Sequence, residues 1–207
     1  YTLIDAGGVT VGFVGIDTPE SFTKSTPTYF QDAEGNYIYG FCEGGNGQDL
    51  YNAVQGAVDA AVKEGADVVI ALGHCGIDEQ SSPWTSREII ANTTGLDAFI
   101  DGHSHSTIPG EAVKDKSGND VVLTSTGTKL ANIGKMTITA EGQVSTELVN
   151  GYTEVDAETD AFVKNIQAQY EDKLNEVVAK SDVDLVVMDP ATGNRLIRNE
   201  ETNLGNL

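Results

Sequence analysis

The chain holds only three histidines in 207 residues, and two of them fall in one pentapeptide, Gly102-His103-Ser104-His105-Ser106. The third, His74, lies in Ala71-Leu72-Gly73-His74-Cys75-Gly76. Imidazole is the commonest nitrogen ligand for transition metals, and it also titrates near neutrality. Two chemistries follow: a metal centre, or acid–base catalysis without metal. No serine or cysteine nucleophile stands in a recognised setting beside the histidines. Cys75 adjoins His74, but neighbours along a strand point to opposite faces, so Cys75 reads as a buried thiol.

The elements around these residues decide whether they can meet. Residues 67–72, Asp-Val-Val-Ile-Ala-Leu, form an apolar, β-branched run of strand length. Residues 98–100 form a shorter one, and residues 85–94 read as a helix with Ile89 and Ile90 inward. A strand–helix–strand unit implies parallel strands joined by a right-handed crossover. Their ends share one sheet edge, where open α/β sheets bind ligands. His74 and the His103/His105 pair are expected at that edge, with Gly73 and Gly102 letting the backbone turn sharply.

The remaining elements are support. Residues 9–16 predict another strand, apolar on both faces. Residues 48–64 predict an amphipathic helix with Leu50, Val54, Ala57, Val58, Ala61 and Val62 in one stripe. The aromatic, glycine-rich stretch 20–48 reads as a surface loop or hairpin turning at 32–36. Its Gly44-Gly-Asn-Gly47 matches neither phosphate-loop nor dinucleotide spacing. Residues 156–180 predict a helix capped by Asp156. Residues 184–188 predict a strand, and Pro190-Ala-Thr-Gly193 a turn.

Composition sets outer bounds. A net charge of −20 argues against nucleic-acid binding, which needs basic surface to neutralise phosphates. No apolar run approaches the ~20 residues of a membrane-spanning helix. Cys42 and Cys75 build no disulfide framework and leave the redox compartment open.

Longer segments carry a resemblance. Val11-Gly-Phe-Val-Gly-Ile-Asp-Thr-Pro-Glu20, the segment 65–78 ending Gly-His-Cys-Gly-Ile-Asp, Gly-His-Ser-His after Asp-Ala-Phe-Ile-Asp, and the segment 121–135 occur in one order. Together they resemble the calcineurin-like metallophosphoesterases, in the bacterial 5′-nucleotidase and 2′,3′-cyclic phosphodiesterase branch. The resemblance covers residues 9–150. It implies an α/β fold, part of a four-layer αββα sandwich. Residues 1–152 would be the C-terminal half of the metallophosphoesterase domain and 153–181 a linker helix. Residues 182–207 would open an α+β nucleotidase C-terminal domain.

The resemblance also implies two divalent metal ions of zinc, manganese or iron type. His74 and His103 would ligate one and His105 the other. Asp78 and Asp101 would orient histidine rings or else cap loops. The family's earlier motifs, Asp-x-His in its own place, Gly-Asp-x-x-Asp and Gly-Asn-His-Asp/Glu, are not found. The chain is therefore expected to be a fragment without its own catalytic residues, inactive alone. The expected partners are a nucleotide substrate, the N-terminal half of the same domain, and possible further copies of the fragment. An extracellular, cell-wall or periplasmic bacterial setting is implied by the family. A non-catalytic binding or structural α/β fragment is the competing reading.

Overall fold

The computed structural model describes residues 1–192, 196, 197 and 201–206. Two compact units divide it, Tyr1–Tyr152 and Thr153–Leu207.

The first unit is α/β, with a mixed six-stranded sheet and a small hairpin. Its strands are β1 (Thr2–Asp5), β2 (Thr10–Asp17), β3 (Val68–His74), β4 (Ala98–Asp101), β5 (Thr107–Lys114) and β6 (Asp120–Thr126). Their order is β1-β2-β3-β4-β6-β5. The central strands β2, β3, β4 and β6 are parallel, while β1 and β5 run antiparallel at the two margins. β7 (Ile133–Ile138) and β8 (Val144–Val149) form the hairpin.

The predicted strand–helix–strand unit is present. α3 (Ser86–Asn92) joins β3 to β4, with Ile89 and Ile90 fully buried. Thr85 caps it in a reciprocal box: its Oγ1 accepts the Glu88 N–H, and the Glu88 carboxylate accepts the Thr85 N–H. α2 (Gln48–Glu64) packs its apolar stripe on the same face, and Gly65 closes it at φ 108°. Of the predicted stripe, Leu50, Val54, Val58 and Ala61 are buried, whereas Val62 is half exposed.

Alternation along the strands builds two cores. Val14, Val69, Ala71, Phe99, Val121 and Leu123 face the helices. Val11, Val68, Ile70 and Ala98 face the other way, where Met136, Ile138 and Val144 of the hairpin pack on them. Leu72 shares that second face but is 54% exposed.

The stretch 20–47 holds α1 (Ser21–Lys24), a 3-10 turn at Pro27–Phe30 and a bridge between Gln31 and Tyr37. The Asp32 carboxylate accepts the N–H groups of Glu34 and Asn36 and so makes the expected turn. Phe22 stacks on Tyr37, and Phe41 meets both Phe22 and Phe30 edge-on.

In the second unit, α4 (Ala157–Leu174) starts where predicted, the Asp156 side chain accepting the Thr159 N–H. It stops short of residue 180. Asn175 forms the C-cap, and the β-branched pair Val177-Val178 follows outside the helix. The expected strand at 184–188 is not formed. The Val186 N–H donates instead to the Asn203 side chain, and only Met188 takes part in an isolated bridge. Among the described residues, the backbone of the run is met at Val187, whose carbonyl accepts the N–H groups of Leu196 and Ile197. Pro190–Thr192 lie in a turn, whereas Gly193 lies outside the described residues. So do Arg198, Asn199, Glu200 and Leu207 of the segment expected to open a C-terminal domain.

Candidate metal centre

Three adjacent parallel strands finish at one edge of the sheet, and each delivers part of the candidate site. β3 ends on His74, which lies opposite Asp17 of β2 in the register of the parallel pair. β4 ends on Asp101, and His103 and His105 follow in the loop to β5. β2 leads into Thr18-Pro19-Glu20.

His74 and His103 come together, their ring centroids 5.0 Å apart in an edge-on arrangement. His105 belongs to the same loop but is exposed, and among the described residues its ring pairs with neither other histidine. Asp101 acts on backbone rather than on rings. Its Oδ1 accepts the N–H groups of Cys75, Gly76 and Gly102 at 3.0, 3.1 and 2.8 Å. One buried carboxylate thus ties the end of β3 to the end of β4 and sets the spacing of the two rings. Asp78 takes the N-cap place of a 3-10 turn, where its backbone oxygen accepts the Ser81 N–H.

The glycines work differently from the expectation. The left-handed backbone falls on the histidines themselves, His103 at φ 81° and His105 at φ 56°. Such conformations cost of order 1–3 kcal/mol each and collect at functional sites. Gly102 is needed for room, since a Cβ there would lie 3.0 Å from His74 Nδ1. A Cβ on Gly73 would lie 2.5 Å from the Phe99 ring, and one on Gly76 3.2 Å from His103 Cδ2. These close approaches build a cradle that side chains would fill.

Glu20 is the residue that histidine spacing alone did not single out. It is 5% exposed, and its Oε2 lies 2.9 Å from His103 Nε2 while Lys24 holds the other oxygen. Burial alone would push its carboxyl up. Hydrogen bonds from Lys24, Ser81 and His103 outweigh burial and hold it below the ordinary value. The available signal was the Thr-Pro-Glu stretch at the end of β2. Cys75 is fully buried on the helix side of the sheet, and burial pushes its thiol well up.

The donor set bears on a metal as follows. His74 and His103, with ring centroids 5.0 Å apart, are the two side chains that could hold one ion together. Among the described residues, no group of three or more His, Cys, Asp or Glu side chains converges as a metal cluster. Among the described residues the two rings thus come together without a third such side chain.

No family model matches the chain. It is 31% identical over 116 residues to the trifunctional nucleotide phosphoesterase protein YfkN of Bacillus subtilis, covering 52% of this chain and 7% of that protein. It is 31% identical over 105 residues to a 5′-nucleotidase of Diplobatis ommata, covering 51% of this chain and 15% of that one. A 2′,3′-cyclic-nucleotide 2′-phosphodiesterase/3′-nucleotidase of Haemophilus influenzae is 32% identical over 78 residues, 36% of this chain and 12% of that protein. The chain is a distant homologue of the 5′-nucleotidase and 2′,3′-cyclic phosphodiesterase proteins. The crystal structure of the calcineurin-like phosphoesterase YfkN from Bacillus subtilis matches with a TM-score of 0.51 at 23% identity. That match covers 84% of this chain and 55% of that one, and it supports the fold. The homologue described here thus spans a small part of its curated relatives' length.

Proposed function

We propose that this nucleotidase homologue is the later, histidine-bearing part of a metal-dependent hydrolase that cleaves phosphate esters of nucleotides. The observation that carries the reading is the His74–His103 pair, brought to one sheet edge by neighbouring parallel strands and a shared carboxylate tie. His74 and His103 would hold one divalent ion of zinc, manganese or iron type, and His105 would turn to a second. When bound, such ions polarise a phosphoryl oxygen and acidify water. The chain's own task is then positional. Asp101 sets the distance between the two strand ends, and Glu20 engages one ring.

The remaining ligands and the group that protonates the leaving oxygen would come from a preceding half of the same domain. Its sheet would complete a four-layer sandwich by covering the face on which Leu72 lies open. By itself the chain would bind metal weakly, release no phosphate, and have reason to self-associate through that face. A bacterial extracellular, cell-wall or periplasmic setting suits this reading. The test is phosphate release from a nucleoside monophosphate, with manganese or zinc, by a protein carrying this chain after the three earlier motifs. His103→Ala and His74→Ala should lose most activity, and His105→Ala should do likewise. Full activity in His103→Ala would leave the Gly-His-Ser-His motif without a catalytic part and overturn the proposal.

A further inference from the structure

Glu20 is a buried carboxylate in a chain with ample acidic surface, so its burial calls for a reason. Taking a charge out of water is costly unless partners replace the hydration. Lys24, one turn along α1, supplies one partner on Oε1. Ser81 supplies another, and the imidazole of His103, 83 residues away in sequence, meets Oε2. The Glu20 N–H itself donates to Thr18 Oγ1 at 3.1 Å, so the carboxylate stands on a hydrogen-bonded turn.

We infer that Glu20 is a positioning residue for His103, fixing both the rotation and the tautomer of the ring. An ionised carboxylate can only accept. The nitrogen it meets must therefore carry the proton, which leaves Nδ1 as the lone pair available to a cation. On its Cδ2 side the ring lies close to Gly76, where an added Cβ would come within 3.2 Å. A histidine that ligates a metal through one nitrogen characteristically donates the other N–H to a carboxylate or carbonyl, which fixes ring orientation and raises basicity. Glu20 and His103 have that relation in the chain itself. The inference rests on the reading of His103 as a ligand, but its test needs no metal and no activity.

The experiment is proton–nitrogen correlation spectroscopy of the histidine rings in the whole 15N-labelled chain, above neutral pH. His103 is identified by the signals lost in His103→Ala. The expected result is one Nε2–H tautomer for His103, with a ring proton that exchanges slowly enough to be seen. Glu20→Ala should abolish that proton signal by exchange with water and admit the second tautomer. Glu20→Gln keeps an acceptor oxygen and should retain the signal, shifted upfield. Lys24→Ala should also retain it, because it removes only the partner on Oε1. If Glu20→Ala does not fold, the wild-type and Lys24→Ala spectra decide. A protonated Nδ1, or no observable ring proton in the wild type, overturns the inference. So does a wild-type pattern in folded Glu20→Ala, which would leave Glu20 with a purely structural pairing to Lys24 and Ser81. Failure of the ligand reading would show separately, as full activity of His103→Ala in the hydrolysis assay.

Discussion

Gly73→Ala tests how tightly the site is tied to the core behind it. Gly73 is the penultimate residue of β3, directly before His74. A Cβ built on it would meet Phe99 Cε1 at 2.5 Å, Phe99 Cζ at 2.6 Å and Cys75 Sγ at 3.5 Å. Carbon atoms pack best at roughly 3.5–4.0 Å, so the ring has to retreat by about 1 Å. Phe99 is fully buried among Ala71, Cys75, Ile89 and Leu123 and has no solvent to retreat into. Overpacking of this kind costs about 1–3 kcal/mol. Replacing glycine also restricts the unfolded chain, which offsets about 0.4–1 kcal/mol. The net expectation is a loss of about 1–2 kcal/mol. With a urea slope of about 1–3 kcal/mol/M, the midpoint should fall by roughly 0.5–1 M. The single tryptophan, Trp84, packs against this core and provides a fluorescence probe in the same unit. Phe99→Leu frees the space the new methyl needs. The double mutant should therefore be less damaged than the sum of the singles, with a coupling of about 0.5–3 kcal/mol. An unchanged midpoint in Gly73→Ala, or strict additivity with Phe99→Leu, would refute the close approach of strand and ring.

Thiol titration of the native chain should modify Cys42 and spare Cys75, because Cys42 is exposed while Cys75 is fully buried with its thiol pushed up by burial and by nearby carboxylates. Both should react in denaturant, and rapid native modification of Cys75 would contradict its place in the core. Thr85→Ala removes the cap of α3 and should cost about 0.5–2 kcal/mol in urea unfolding; a neutral result would mean the capping box adds nothing to so short a helix. Acid stability follows from two glutamates: burial opposes ionisation of Glu20 and Glu88, but hydrogen bonds from Lys24, Ser81 and His103 to the first, and from Ser82 and Thr85 to the second, hold both below the ordinary value. Groups lowered in the native state add stability that is whole above the unfolded value, about 4.3 for glutamate, and is lost as pH falls through the native one. The urea midpoint should therefore hold from neutrality to about pH 5 and fall below it. Asp97 acts in the opposite sense, its carboxyl pushed up by burial, so Asp97→Asn should steepen the acid loss. A midpoint that rises on acidification below about pH 4 would break the argument.

Much of the architecture was written in periodicity. The run at 67–72 and the helix at 85–94 were legible because continuous β-branched residues and paired inward isoleucines leave few alternatives. β1 and β5 were not. The burial patterns of Thr2–Asp5 and Thr107–Lys114 are largely exposed, as befits strands at sheet margins, so hydrophobicity marked neither. The run at 184–188 misled for the opposite reason: apolar character proposes a strand, but among the described residues it makes only a bridge at Met188 and backbone bonds at Val187. At the site, residue type located the histidines, and topology brought two of them together. The rest was a matter of distances that spacing does not encode. That Gly73 and Gly102 give room rather than turns depends on where Phe99 and His74 lie across the sheet. Glu20 is separated from His103 by the whole of α2, β3, α3 and β4. Only the parallel order β2-β3-β4 makes their meeting possible.

That order also explains why the chemistry sits where strands end rather than within them. Inside the sheet the backbone groups of β3 and β4 satisfy one another, and side chains at Ala98 and Phe99 have room only for packing. At the last rung the ladder stops, and N–H groups of Cys75, Gly76 and Gly102 are left without strand partners. Buried donors of this kind must find acceptors. Asp101 supplies one oxygen to all three, so the requirement to satisfy the strand ends is also what fixes the loops bearing His74 and His103. Asp101→Asn would keep the shape but weaken acceptance by a charged group. It would loosen both histidine loops together, which Asp78→Asn, on a separate turn, would not. The site's geometry is in this sense a by-product of closing the sheet: the residue that ends the ladder sets the separation of the rings.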